Sequence, residues 1–168
     1  MALLGTNLET RRDLYTFKLG AALTMEKKIL DMLPQLEEEA NHGELESALR
    51  MHRDQTEAHV RRLEQAFELL GEDPEDQPCP AIEGLEKEGQ ANLKMVDDAL
   101  ADAVILSAVA ETEHHEIAVY EGLITNGQAL GENEVVALLQ SNLADERDAL
   151  QKASTMTEQL AQGMPPAA

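Results

Sequence analysis

The stretch LSAVAETEHHEIAVYEGLI, residues 106–124, sets Leu106, Ala110, Glu113, Ile117, Tyr120 and Ile124 three or four residues apart. That spacing follows the turn of an α-helix, so the six side chains share one face of a helix predicted over about 98–125. All but Glu113 are apolar or aromatic, which leaves a carboxylate midway along a core-facing stripe. Such a group is costly to bury unless it is neutralised, paired or bound to a cation. Glu116 lies three residues further on, shares the face, and would repel Glu113 if both were buried without a counter-charge. A pair of divalent metal ions resolves the conflict.

The pattern recurs on either side. Tyr15, Leu19, Leu23, Glu26, Leu30 and Leu33 mark a helix over about 10–40. Pro34 is expected to kink it or break one hydrogen bond, and Gly43 to end it in a left-handed conformation. Leu45, Leu49, His52, Thr56, His59, Leu63, Ala66 and Leu70 mark a second helix over about 44–70, closed by Gly71. GEDPEDQPCP, residues 71–80, reads as a crossover, and a shorter amphipathic helix follows over about 81–96. Asn126-Gly127 is expected to open a turn, and Leu139, Leu143, Glu146, Leu150 and Ala153 mark the last helix, over about 132–160. The tail Gly163-Met164-Pro165-Pro166 is expected to fray.

Short links force antiparallel pairs, and the long crossover carries the chain from one pair to the other. The expected fold is a single all-α domain over 1–168: a ferritin-like antiparallel four-helix bundle with a short extra helix in the crossover.

Composition agrees and excludes several functions. A chain of 168 residues closes one sizeable core, and 2% aromatic content leaves helices packed on aliphatic side chains. The single cysteine, Cys79, excludes an internal disulfide framework and suits a reducing, cytoplasmic setting. It reads as a small side chain in the proline-rich link. The N-terminus MALLGTNLETRR has no apolar signal core, and the longest apolar run, 135–139, is far too short to span a membrane. A formal charge of -20 argues against nucleic acid and anionic lipid as partners and draws cations, although solubility alone also explains it.

The candidate ligands follow from the inward polar residues. Glu26, Glu113, Glu116 and Glu146 would supply oxygens, and His52 and His59 nitrogens. That mixture suits two Fe or Mn ions, with Zn as a substitute. For Glu26 and Glu146 the competing reading is a boundary carboxylate reaching water. For His52 and His59 it is a hydrogen-bonded core histidine. Tyr15, Thr56 and Tyr120 are inward groups able to support the ligands. Glu111-x-x-His114 matches a Glu-x-x-His ligand motif in letters, but Glu111 lies about 200° around the helix from Glu113 and is rejected. His114 is kept as hydrogen-bonding support for a ligand.

Met25-Glu26-Lys27, His52 with Thr56, Arg62-Leu63-Glu64, Cys79 with Glu83-Gly84-Leu85, and Glu113-His114-His115-Glu116-Ile117-Ala118-x-Tyr120 together resemble the YciE/YciF family of ferritin-like bacterial stress proteins. The resemblance implies a homodimer with a two-metal centre on Glu26, Glu113, Glu116 and Glu146. The chain departs from the family pattern in having Gln55 before Thr56 and Gln151 after Asp145-Glu146-Arg147, and from true ferritins in carrying Thr56-x-x-His59 where they carry Glu-x-x-His. Two functions are therefore expected in competition. One is a di-metal oxidoreductase, ferroxidase-like or peroxide-consuming, acting in stress protection. The other is a metal-poor structural or protein-interaction bundle with a vestigial site.

Overall fold

A computed structural model describes residues 8–163, so the expected fraying at 164–166 lies outside the described residues. Helix α1 (Arg11–Glu39) starts in a capping box. The Thr10 hydroxyl accepts from the Asp13 amide at 3.0 Å, and the Asp13 carboxylate accepts from the Thr10 amide at 2.9 Å. Such a cap contributes about 1 kcal/mol. The helix runs through Pro34 without interruption.

Helix α2 (Gly43–Leu70) corrects the expected end of α1. Gly43 is the first residue of α2 and does not adopt a positive φ. The turn is instead held by Asp102, whose carboxylate accepts from the amides of Asn41 at 2.7 Å and His42 at 3.1 Å. Gly71 closes α2 at φ 73°, as expected.

The crossover lies across α1. Gln77 donates its amide to the Gly20 carbonyl at 3.2 Å, and a Cβ on Gly20 would fall 2.3 Å from the Glu75 carbonyl oxygen. Helix α3 (Pro80–Leu93) follows, with proline in its first turn, where no hydrogen bond is lost. A single 3₁₀ turn, Asp98–Leu100, leads into α4 (Ala101–Leu130), and α5 is Asn133–Gly163.

The turn expected at Asn126-Gly127 is therefore absent, and α4 continues one turn further to a left-handed Gly131 at φ 80°. Gly127 answers to packing. A Cβ there would stand 2.7 Å from the Tyr15 hydroxyl and 2.8 Å from Val136 Cγ2, so only glycine lets α4 pass this close.

Helix α1 packs on α2 and α4, and α5 packs on the same two, which closes a square; α3 covers α4 and the edge of α1. Asp102 at the start of α4 meets the α1–α2 turn, while Arg12 at the start of α1 reaches Glu132 at 2.6 Å and the Leu70 carbonyl at 3.1 Å. These contacts fix an up, down, down, up order, the ferritin-like connectivity. Leu19, Leu23, Leu63, Phe67, Ile82, Ile105 and Leu139 fill the core, each contributing roughly 1.5–3 kcal/mol by burial. Among the described residues no helix is long and apolar enough to cross a membrane.

Candidate metal centre

Halfway along this apolar square all four long helices turn carboxylates or imidazoles inward. Glu26 comes from α1, His52 and His59 from α2, Glu113 and Glu116 from α4, and Glu146 from α5. All six are buried; Glu26, His59, Glu116 and Glu146 are 0% exposed, and His52, at 7%, is the most open.

They fall into two groups. One atom each from His52, Glu113, Glu116 and Glu146 lie within 4.8 Å of one another, and so do one atom each from Glu26, His59 and Glu146. Glu146 belongs to both, and Glu113 and Glu116 to the first alone. Within the first group His52 Nε2 is 3.1 Å from Glu113 Oε1. Within the second, His59 Nδ1 is 2.9 Å from Glu146 Oε1 and 3.4 Å from Glu26 Oε2.

Crowding four carboxylates in a dry core has electrostatic consequences. Burial raises the pKa of Glu116 well above the usual carboxylate range, and Glu146, Glu26 and Glu113 push it further. Glu26 is raised by burial and by Glu146, and Glu146 is raised by burial against the opposing pull of His59. Burial pulls His59 down, but hydrogen bonding to Glu146 and Glu26 and their charges more than reverse it, to about 10. His52 is also raised, the pairing with Glu113 outweighing burial.

The supporting residues are distributed unevenly. His59 Nε2 faces Asp145 Oδ2 at 3.2 Å, and Arg62 Nη1 donates to the same oxygen at 2.9 Å and to Asn142 Oδ1 at 3.0 Å. Asn142 Nδ2 donates to the Tyr120 hydroxyl at 2.9 Å, and Tyr120 donates to Glu26. Asn142, Asp145 and Arg62 were not anticipated as part of the site. Asn142 carried a signal, since it stands four residues before Glu146 on the same stripe.

Tyr120 donates to Glu26, but two other residues make no contact with the cluster. His114 is exposed on α4 and has no contact with the cluster, because it follows Glu113 by about 100° of helix rotation. Tyr15 sits a few turns below Glu26, with its hydroxyl against Gly127 and without a hydrogen-bond partner. Thr56 is buried between the two histidines and donates to the His52 carbonyl at 2.9 Å. Glu111 is exposed, in keeping with its rejection.

The donor atoms fit cations. Glu26 Oε2, Glu113 Oε2, both oxygens of Glu116 and of Glu146, and Nδ1 of His52 and His59 are buried without an aligned hydrogen-bond partner. Each such atom costs about 1–3 kcal/mol if left unsatisfied. Four carboxylates and two imidazoles match in charge and donor type what two divalent ions of the iron or manganese kind require.

Comparison with known proteins agrees with this architecture. A family described as a domain of unknown function, DUF892, matches residues 10–164. The chain belongs to this family. It is 27% identical to Protein YciF of Escherichia coli (strain K12) over 143 residues, covering 84% of this chain and 86% of that protein. Among solved structures, YcfI from Rhodopseudomonas palustris, described as a candidate structural protein, is 33% identical with a TM-score of 0.88 over 91% of this chain and 98% of its own. The structure of the E. coli stress protein YciF, at 24% identity, matches with a TM-score of 0.88 over 93% of this chain and 99% of its own. The chain is thus a YciF-like helical bundle.

Proposed function

We propose that this protein is a two-metal carboxylate protein of the ferritin-like kind, binding Fe or Mn and reacting with oxygen or peroxide in cytoplasmic stress protection. The observation that carries the reading is the convergence of buried oxygens and nitrogens on Glu26, Glu113, Glu116, Glu146, His52 and His59, many of them without an aligned hydrogen-bond partner, all drawn from mid-bundle positions. Glu26, His59 and Glu146 would hold one ion, and His52, Glu113, Glu116 and Glu146 the other. Such ions supply redox electrons and open coordination positions when bound.

The chain's own groups do the rest. Asp145 and Arg62 fix the ring of His59 so that Nδ1 points into the cluster. Tyr120 holds one oxygen of Glu26 and leaves the other free. The leucines above and below exclude water, which strengthens every charge inside. The likeness to a protein called a stress protein supports the biological setting.

A second reading is favoured by the His59–Glu146–Asp145 contacts, which partly neutralise the cluster with no metal at all, and by the description of the R. palustris relative. On that reading the chain is a structural or interaction bundle with a vestigial site, working through homodimerisation. Elemental analysis of protein from Fe- and Mn-supplemented cells decides. About two ions per chain are expected, with anomalous difference peaks beside Glu146. No Fe, Mn or Zn, together with unchanged stability in chelator, would sink the two-metal reading.

A further inference from the structure

Two narrow clefts converge on one side of the cluster. The first, about 40 Å³, lies between α1, α3 and α4; Leu33, Leu85, Leu93 and Ile105 wall it, and it ends at His52 and Glu113. The second, about 30 Å³, lies between α2, α4 and α5; Leu49, Leu106, Ala153 and Met156 wall it, and it ends at the same two residues. Val109 lines both. His52, the least buried of the six candidate ligands, is where they meet.

Volume and lining decide what such clefts accept. About 10–15 Å³ of such space is enough to admit a water molecule, which needs two to four polar partners to be held. Besides His52 and Glu113, which line both, the polar groups Gln35, Glu86, Gln90 and Thr112 line the α1–α3–α4 cleft and Gln55 and Lys152 the other, while most of each wall is apolar. Along the apolar part of each wall hydrogen peroxide or a hydrated ion would leave hydrogen bonds to water behind. A diatomic molecule without hydrogen-bonding groups loses nothing.

We infer that the clefts admit a small uncharged apolar molecule of dioxygen's class to the His52–Glu113 edge of the cluster and disfavour peroxide by that route. The inference takes its chemical purpose from the two-metal reading and narrows the oxidant that reading leaves open. Its geometry stands on the protein residues alone.

The test is xenon pressurisation of crystals of the full chain after chelator treatment, since xenon is an apolar probe with anomalous scattering. A xenon peak against Val109 in either cleft is expected, lost in Val109→Phe and of higher occupancy in Val109→Ala. Ordered water in both clefts, or no xenon there in either wild type or Val109→Ala, overturns the inference. Should Val109→Phe fail to fold, the gain in Val109→Ala still tests it. Because no metal takes part, failure to find metal by elemental analysis would remove the two-metal reading and leave this result intact, and xenon failure would leave metal loading untouched.

Discussion

Around His59 the bundle lays down a second layer of polar groups: Asp145, Arg62, Asn142 and Tyr120 form a continuous chain of hydrogen bonds behind the candidate ligand atoms. Around His52 there is no such chain. Its Nδ1 is buried without a partner, neither oxygen of Glu116 has one, and aliphatic clefts take the place of the polar layer. Hydrogen-bonded support fixes ring orientation and raises ligand basicity. The difference therefore separates a half braced by side-chain hydrogen bonds from a half bordered by largely apolar clefts.

Removing the residue that joins the halves should have the largest effect. Glu146→Gln is expected to abolish loading at both, from about two ions per chain to none, read by elemental analysis. Retention of one full equivalent would mean that the halves are independent. Next comes the contrast between the histidines. His59→Ala leaves Asp145, Glu26 and Glu146 facing one another, and should destabilise the chelated protein by about 3 kcal/mol in urea unfolding. His52→Ala should cost less, since among the described residues His52 is ion-paired with Glu113 alone, at 3.1 Å, whereas His59 pairs with Glu26, Asp145 and Glu146. Equal losses would erase the comparison.

A smaller effect is expected from Asp145→Asn. It should weaken metal affinity about 10- to 100-fold at the His59 half alone, seen as one weakened step of two in a calorimetric titration. The last concerns pH. The folded pKa of His59 is raised from 6.5 to about 10. A group whose pKa rises on folding stabilises below its unfolded value and loses that contribution as pH climbs through the folded one. The chelated protein should thus lose stability between about pH 6.5 and 10, and His59→Ala should flatten that slope in pH-dependent urea midpoints.

Which residues point inward was legible because a helix has one period, and Glu26, Glu113, Glu116, Glu146, His52 and His59 all obey it. How neighbouring helices are set against each other was not. Asp145 lies about 100° from Glu146 and looks like a surface residue until α2 brings His59 and Arg62 beside it. Tyr15 and Tyr120 read alike in the sequence, yet one hydroxyl meets Glu26 and the other a glycine a few turns away. The glycines misled for a related reason. Gly127 occupies a site of close helix contact, and Gly131 holds the positive φ that a stop requires. Asn-Gly is a turn signal only when the following residues do not keep helical contacts.

The crossover between α2 and α4 divides the chain into two helical hairpins. The α1–α2 hairpin carries Glu26, His52 and His59, and the α4–α5 hairpin carries Glu113, Glu116 and Glu146. Neither hairpin owns a complete half: the Glu26–His59 group borrows Glu146, and the other borrows His52. Cations held there would clasp one hairpin to the other, tightening the association by the free energy of binding. A chain cut in the exposed segment around 72–76 would then stay together while loaded and come apart in chelator, making the proposed centre the fastener of its own scaffold.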